Sequence, residues 1–375
     1  LLAIGGASVV WGAYSLRRRT SPSVFRINRV LAVQLVIGFI GLEALTRIVS
    51  ALDLKPFSNL TYLVNPACDD TYYRLIQSPE NVAPGANYHP TLGWTSSRLH
   101  GHQSKLPWPP ALDKRLKIWF FGDSFMEGVL KPEESVPAQF ETIKTNRQSI
   151  NFGVAGYGLD QIWLRYSEQS GEIPAGEPVV IGILPSDLDR IVFRYFFGFK
   201  PIFRQSDTGF ELIPPPPREE TQTAFAEAPA AVGSYAYAVV RSIAELVTTQ
   251  FDRSESACRR SEKAAISAFL FDSIIDRANS RGHEVFWVLF VSRAAFYKSK
   301  NWRHDLIASQ FQARNQTYLD TRSILRQAAQ KSGTEPTAFY NAGDGHLNDL
   351  GNSVVARALA ELIDATRSDD GTKSR

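Results

Sequence analysis

The stretch L-K-I-W-F-F-G-D-S-F-M-E-G, at residues 116–128, decides the fold. Its first six residues form a short apolar run that ends abruptly at Gly122, which is typical of a buried strand followed by a sharp turn. Ser124 would then lie at the carboxyl end of the strand, where open α/β sheets place their ligand sites. A serine is a weak nucleophile unless a base activates it, so a catalytic Ser124 requires a partner elsewhere. The alternative is an ordinary Asp-Ser turn or helix cap.

The best candidate for that base lies near the other end of the chain. Residues 339–351 read F-Y-N-A-G-D-G-H-L-N-D-L-G, a Gly- and Asn-rich loop that precedes an amphipathic stretch. Of the six histidines in the chain, His346 is the one with a carboxylate, Asp344, two residues away. Loops on a rigid scaffold often carry catalytic residues. The alternative for this His-Asp pair is a surface turn.

Two further blocks place a turn directly after an apolar strand. Residues 149–161 read S-I-N-F-G-V-A-G-Y-G-L-D-Q, in which Gly153 and Gly156 permit close backbone approach. Exposed N–H groups in such a loop can hold an oxyanion. Residues 178–190 read P-V-V-I-G-I-L-P-S-D-L-D-R, a fully apolar strand that ends just before Ser186. The alternative for the glycine block is a tight turn with no ligand, and it lacks the Gly-Lys-Ser/Thr of a phosphate loop.

From residue 116 onward, short apolar strands alternate with helical stretches. This alternation predicts a parallel sheet with helices on both faces. An excursion at residues 194–248, with a hairpin pattern followed by four prolines, interrupts the alternation and is a lid, a substrate wall or a purely structural flap. The predicted strands are 116–121, 149–152, 179–184, 284–291 and 316–319, and the predicted helices are 134–145, 159–170, 258–281, 305–314, 321–331 and 349–366.

In this order, the four blocks resemble the SGNH or GDSL hydrolase family over residues 116–362. The resemblance implies a three-layer α/β/α sandwich of flavodoxin-like type with about five parallel strands. It also implies that Ser124 is the nucleophile, His346 the general base and Asp344 the residue that orients it. The same resemblance assigns an oxyanion-hole N–H to Gly153 or Gly156. Three strings also resemble a bacterial membrane-anchored branch of the family, namely residues 92–94, 156–161 and 344–348.

The chain departs from the family pattern at two positions. Ser186 stands where the third block of the family has an asparagine that donates to the oxyanion, and a hydroxyl is shorter and has one donor rather than two. Asp344 lies two residues before His346 rather than three. We therefore expect Ser186 to contribute weakly, and Asp344 either to orient the ring differently or to share that task with backbone carbonyls.

An apolar run at residues 30–49 is about long enough to cross a bilayer. We expect residues 1–52 to form a membrane anchor of one or two helices, with everything after about residue 50 on the outer side, because an arginine-rich loop is retained in the cytoplasm. The alternatives for residues 30–49 are a buried core helix and a cleaved signal peptide. The arginines that flank the apolar segments are Arg17, Arg18, Arg19, Arg26 and Arg29.

The remaining segments are assigned more simply. Residues 53–112 are expected to be an irregular lead-in or stalk, residues 113–366 the hydrolase-like domain, and residues 367–375 a disordered tail. Cys68 and Cys258 both fall on the outer side, where they either form a disulfide or stay free thiols. The pair His100 and His102 is more typical of a loop than of a metal site.

The sequence therefore predicts an esterase of the cytoplasmic membrane whose catalytic domain lies on the periplasmic or extracellular side. Its expected partners are an acylated glycan or lipid substrate and the membrane itself. A formal net charge of +3 gives no indication of nucleic-acid binding, and no cofactor or metal is expected. Two alternatives remain, an O-acyltransferase that uses the same triad and a catalytically silent glycan-binding envelope protein.

Overall fold

The computed structural model describes residues 22–51, 68, 70–75, 87–96, 115–128, 131–227, 234–237, 259–298 and 301–373 of the chain. The chain divides into two compact units. The first comprises Leu1–Asn65 and Ala231–Arg253, and the second comprises Pro66–Ala230 and Ser254–Arg375.

The described helices and strands follow the alternation that the sequence predicts. The strands are β1 (Tyr88–His89), β2 (Gly93–Trp94), β3 (Leu116–Phe121), β4 (Arg147–Asn151), β5 (Pro178–Ile183), β6 (Ile202–Ser206), β7 (Gly209–Ile213), β8 (Glu284–Leu289) and β9 (Tyr318–Asp320). The α-helices are α1 (Pro22–Ala51), α2 (Thr71–Leu75), α3 (Ser124–Glu127), α4 (Val136–Ile143), α5 (Leu159–Gln169), α6 (Asp187–Arg190), α7 (Thr221–Glu227), α8 (Arg260–Arg281), α9 (Arg293–Phe296), α10 (Trp302–Ala313), α11 (Thr321–Ser332) and α12 (Asp349–Lys373). Short 3₁₀ turns lie at Pro132–Glu134, Arg218–Glu220 and Pro336–Phe339.

A five-stranded parallel sheet, in the order β4-β3-β5-β8-β9, organises the second unit. The first strand of the sheet along the chain is β3. The chain then adds β4 on one side of β3 and crosses over to add β5, β8 and β9 on the other side. This is the flavodoxin-like strand order, which reverses direction beside the first strand and opens a crevice at the carboxyl ends. The prediction of about five parallel strands is confirmed, and each predicted strand boundary lies within two residues of the observed one.

Helices cover both faces of this sheet because successive strand side chains point to opposite sides. Trp119 and Phe121 lie in one apolar cluster, which includes residues of α5, α8 and α10. Ile118 and Phe120 lie in a second cluster, which includes residues of α4, α11 and α12. All four side chains are fully buried. The layers are therefore helix, sheet and helix, as predicted.

The last helix corrects one expectation. Residues 367–375 were expected to be a disordered tail, but α12 continues to Lys373. Arg367 fixes this part of the helix, because its Nε donates to Glu284 at 3.0 Å and its Nη2 to the carbonyl of Gly176 at 2.7 Å. The apolar periodicity ends before these residues, so the helical extension depends on polar contacts that a hydrophobic pattern does not register.

The lead-in and the insertion also contain regular structure. In the lead-in, β1 and β2 pair as a small antiparallel ladder. In the insertion, β6 and β7 form the hairpin that the sequence predicts. Cys68 is buried and disulfide-bonded. Cys258 lies outside the described residues, as do His100 and His102.

In the first unit, α1 is the described helix that is long and apolar enough to cross a membrane. Its window Leu31–Ile48 has a mean hydropathy of 1.7 and is 6% buried. Glu43, the acidic residue within that window, is hydrogen-bonded rather than left unsatisfied. Its carboxylate accepts bonds from the Ser234 hydroxyl at 2.9 Å and from the Ala236 N–H at 2.7 Å. Residues 1–21, which include Arg17, Arg18 and Arg19, lie outside the described residues.

Candidate active site

Ser124 lies at the tip of the turn that joins β3 to α3. Gly122 is required there, because a Cβ at this position would lie 2.8 Å from the Met126 Cβ and 2.9 Å from the carbonyl oxygen of Gly182. Asp123 caps α3, and its Oδ1 accepts a hydrogen bond from the Phe125 N–H at 2.9 Å. The sharp turn therefore presents the Ser124 side chain at the carboxyl edge of the sheet.

His346 reaches this serine from a loop far along the chain. Its Nε2 lies 2.8 Å from the Ser124 Oγ. The loop is fixed by the Asn341 N–H, which donates to the His346 carbonyl at 2.8 Å. The imidazole also packs against the Phe125 ring, with centroids 4.7 Å apart. The ring thus has its position set from two sides, and its Nε2 is within hydrogen-bond distance of the hydroxyl.

Asp344 contacts His346 in an unusual way, which follows from its two-residue spacing. Gly345 takes a left-handed φ of 74° and folds the chain back, so that the His346 N–H donates to Asp344 Oδ1 at 3.1 Å. The other carboxylate oxygen, Oδ2, lies 3.2 Å from the His346 Nδ1, although the angles do not make a hydrogen bond. This Nδ1 is buried and has no hydrogen-bond partner among the described residues.

The two candidate oxyanion glycines differ in what their N–H groups do. The Gly153 N–H donates to the side-chain oxygen of Asn151 at 2.9 Å. Gly153 is needed for packing, because a Cβ there would lie 2.5 Å from the Glu127 nitrogen. The N–H groups of Gly156 and Ser124 donate to no residue in the described part of the chain. Of the two glycines, Gly156 therefore has the N–H that is free of a partner among the described residues, although Gly156 is buried and does not line the cleft beside Ser124.

Ser186 lies at the same edge of the sheet, because β5 pairs directly with β3. It is half-buried and precedes the short helix α6, with its backbone in the right-handed helical region. Its hydroxyl makes no capping bond and no other hydrogen bond to a described residue. It is also absent from the lining of the cleft next to Ser124.

A buried cluster of charged side chains lies beneath the turn that carries Ser124, and no sequence motif indicates it. Arg190 Nη1 contacts Asp187 at 2.6 Å and Asp123 at 3.4 Å, and donates to the Tyr157 carbonyl at 2.7 Å. Burial, followed by the nearby Asp123 carboxylate, raises the pKa of Asp187 well above its usual value. Burial opposes the charge of Arg190, but the two carboxylates outweigh it and raise its pKa. The cluster therefore joins the turns after β3, β4 and β5. The only signal in the sequence was the i, i+3 spacing of Asp187 and Arg190.

A small cleft with a volume of about 80 Å³ opens beside Ser124 and His346, and its wall is about equally polar and apolar. Its amide and charged side chains can hydrogen-bond a substrate, while Phe125 and Leu347 give it an apolar part. No group of three or more potential metal-ligating side chains is found within the described ranges. The polar residues of the wall are Lys131, Glu134, Asn341, Asn348 and Asn352.

Comparison with known proteins gives structural likenesses only. No protein-family model matches the chain, and no curated protein matches it. Among solved structures, it is similar to a member of the lipolytic protein G-D-S-L family from Veillonella parvula, at 12% identity over 65% of this chain and 96% of that one, with a TM-score of 0.38. It is also similar to an acetyl xylan esterase, at 13% identity over 65% of this chain and 97% of that one, with a TM-score of 0.37.

At these identities and TM-scores, the likeness decides nothing about chemistry or substrate. The fold is established by the chain's own strand order and by the Gly-Asp-Ser turn at the end of β3. This order, with helices on both faces of the sheet, is that of a flavodoxin-like three-layer α/β/α sandwich.

Proposed function

We propose that the protein is a membrane-anchored serine esterase in which Ser124 is the nucleophile and His346 the general base. The observation that carries this proposal is the 2.8 Å separation between the His346 Nε2 and the Ser124 Oγ. This is hydrogen-bond distance, which a base needs in order to take a proton from the hydroxyl. The pair lies at the carboxyl edge of a parallel sheet, where this class of fold binds its ligands.

The reaction proceeds in two halves with the same groups. Ser124 Oγ forms a bond to the ester carbonyl carbon while its proton passes to His346 Nε2. The C–O bond to the alcohol then breaks, and His346 returns the proton to the departing oxygen. A water molecule repeats these steps on the acyl-enzyme and releases the acid. The negative charge on the carbonyl oxygen is stabilised by the open N–H groups of Ser124 and Gly156.

Asp344 supports the imidazole in this scheme. When Nε2 accepts the serine proton, the other ring nitrogen carries a hydrogen, and the nearest carboxylate oxygen, Asp344 Oδ2, lies 3.2 Å away. The carboxylate is already fixed by the His346 N–H. We assign Asp344 the role of stabilising the protonated ring, with a looser contact than a linear hydrogen bond provides.

The substrate that we propose is an O-acylated glycan or lipid of the cell envelope. The cleft favours the glycan, because its wall carries amide and charged groups that can bind sugar hydroxyls. A membrane location is supported by α1, an apolar helix long enough to cross a bilayer, and the outer face is supported by the arginine-rich segment before it.

The proposal is tested with the full-length protein in detergent, using a fluorophosphonate probe and p-nitrophenyl acetate. The expected result is covalent labelling and ester hydrolysis, both lost in Ser124→Ala. Repeating the assay with and without an added oligosaccharide acceptor separates hydrolysis from acyl transfer. A wild-type protein that neither labels nor hydrolyses any acyl ester would contradict the proposal.

A further inference from the structure

We propose that Trp94 is a positioning residue for the oxyanion hole, because its indole N–H fixes the direction in which the Gly156 N–H points. The inference rests on the proposed esterase function. The indole Nε1 of Trp94 donates to the carbonyl oxygen of Ala155 at 3.0 Å. Trp94 belongs to the lead-in, a segment expected from the sequence to be an irregular stalk.

The carbonyl of Ala155 and the N–H of Gly156 belong to one peptide group. A peptide group is planar and almost always trans, so its C=O and N–H point in opposite directions. A hydrogen bond that fixes the direction of the Ala155 carbonyl therefore also fixes the direction of the Gly156 N–H, which lies in the same plane and points the opposite way. Gly156 has a φ of 80°, a conformation that glycine adopts without strain. Because glycine is so permissive, this peptide needs an external contact to fix its orientation.

A second contact fixes the other side of Ala155. Its N–H donates to Glu127 Oε2 at 2.7 Å, and the other carboxylate oxygen of Glu127 accepts from the Ser96 hydroxyl. Glu127 is buried and ends α3, the same short helix that begins with Ser124. The glycine loop is thus attached to the nucleophile helix through Glu127 and to the lead-in through Trp94.

The backbone of the lead-in around β2 is itself fixed by hydrogen bonds from the domain. The Trp94 carbonyl accepts from the Tyr157 hydroxyl at 2.7 Å, and the Leu92 carbonyl accepts from the Gln161 side chain at 2.7 Å. The chain passes so close to Phe199 that a Cβ at Gly93 would lie 2.2 Å from its carbonyl oxygen. Trp94 is therefore a fixed point rather than a mobile side chain, as a positioning residue must be.

The orientation of this peptide matters more here than in a site with a side-chain donor. Ser186 occupies the position of the third-block asparagine, and its hydroxyl makes no hydrogen bond to a described residue. The backbone N–H groups of Ser124 and Gly156 are then the main donors to the oxyanion. Loss of one such donor typically lowers kcat by about 10²- to 10³-fold, so misdirecting the Gly156 N–H should be costly.

The test compares Trp94→Phe with Trp287→Phe in the full-length protein. Both variants keep an aromatic ring and delete one indole hydrogen bond of 3.0 Å, since Trp287 Nε1 donates to Gln316 away from the site. Trp94→Phe should lower kcat for p-nitrophenyl acetate about 10- to 100-fold with KM within about twofold. The affinity for phenylboronic acid, which forms a tetrahedral adduct with Ser124, should fall by a similar factor. Trp287→Phe should change neither.

A second pair of variants covers the case in which Trp94→Phe does not fold. Glu127→Ala removes the acceptor of the Ala155 N–H and should show the same loss in kcat and in boronate affinity. Glu127→Gln keeps an acceptor oxygen and should restore most of both. An active wild type in which Trp94→Phe or Glu127→Ala folds and retains its kcat and boronate affinity would overturn the inference. So would a drop in kcat without a drop in boronate affinity. An inactive, unlabelled wild type would instead count against the esterase proposal.

Discussion

The imidazole Nε2 of His346 lies 2.8 Å from the hydroxyl of Ser124, although the two residues are 222 positions apart in the chain. Two local features bring them together. The turn after β3 projects the serine from the edge of the sheet, and the loop before α12 carries the histidine over the same edge. Phe125, the residue after the serine, supports the histidine ring from below. The short helix that begins with Ser124 therefore helps to position the imidazole of His346.

Replacing Ser124 with alanine should abolish ester hydrolysis and leave the fold intact. The hydroxyl is the proposed attacking group, so its loss should lower kcat by about 10⁴- to 10⁶-fold. The measurement is turnover of p-nitrophenyl acetate, with a circular dichroism spectrum as the check on folding. Ser273→Ala is the matched control, because it removes a hydroxyl that only bonds the Phe269 carbonyl within α8. Equal turnover in Ser124→Ala and wild type would exclude Ser124 as the nucleophile.

Asp344 should matter less than His346. Among the described residues, His346 is the basic group hydrogen-bonded to the Ser124 hydroxyl, whereas the Asp344 contact to its Nδ1 lacks hydrogen-bond geometry. We expect His346→Ala to lower kcat by at least about 10⁴-fold and Asp344→Ala by about 10- to 10³-fold. Steady-state kinetics of the two variants on one ester gives the comparison. A loss in Asp344→Ala as large as that in His346→Ala would mean that the carboxylate moves into a linear bond when substrate is present.

The sequence was sufficient for the features that are encoded locally. The five strands, their glycine turns and the Gly-Asp-Ser block each lie within a short window, and the apolar strands can only be buried in a sheet covered on both faces. His346 was a candidate partner of Ser124 because of the adjacent Asp344 and the glycine-rich loop, and the family resemblance implied the same pairing. The helical extension over residues 367–373 was not predictable, since the polar contacts of Arg367 lie beyond the apolar pattern.

Contacts between residues far apart in the chain could not be predicted from the sequence. Trp94 bonds to a carbonyl 61 residues away, and Ser96 to a carboxylate 31 residues away. Neither residue stands in a motif whose spacing indicates a partner. The Arg190 cluster is a similar case, because Asp123 and Asp187 come together only when β3 and β5 pair. Such contacts depend on the tertiary arrangement, and hydrophobic periodicity does not encode it.

Ser186→Asn should raise the rate of hydrolysis. The Ser186 hydroxyl has no hydrogen-bond partner within the described structure, and the longer asparagine amide adds a donor at the family's position. We expect kcat on p-nitrophenyl acetate to rise about tenfold, a fraction of the full value of an oxyanion donor. Ser186→Ala should be nearly neutral and serves as the control. An unchanged kcat for Ser186→Asn would show that this position does not face the oxyanion, and a large fall would contradict both accounts of it.

The stability of the domain should decrease as the pH falls below about 6.5, in part because of His283. Burial lowers the pKa of His283 below its ordinary value of 6.5, while its Nδ1 contacts the Tyr166 hydroxyl and its Nε2 the Ile173 carbonyl. Below pH 6.5 the imidazole of His283 takes up a proton in the unfolded chain but resists it in the folded chain. The contribution of His283 to the free energy of unfolding is therefore complete above pH 6.5 and is lost as the pH falls through the folded pKa. Urea unfolding at pH 8, 6.5 and 5 should show a smaller pH dependence in His283→Gln than in wild type. An unchanged dependence would mean that other groups account for it.

The carboxyl terminus should lie outside the cytoplasm. The apolar side chains of α1 are exposed along Leu31–Ile48, as a lipid-facing helix requires, and the arginine-rich segment before it is expected to stay inside. A phosphatase reporter that is active only after export, fused after Arg375, should therefore be active, and a fluorescent protein that matures only in the cytoplasm should be dark there. The control places the same two reporters after residue 21, where the pattern should reverse. A dark phosphatase and a bright fluorescent protein after Arg375 would reject both this topology and an envelope substrate, while leaving the chemistry of Ser124 and His346 to be tested on its own.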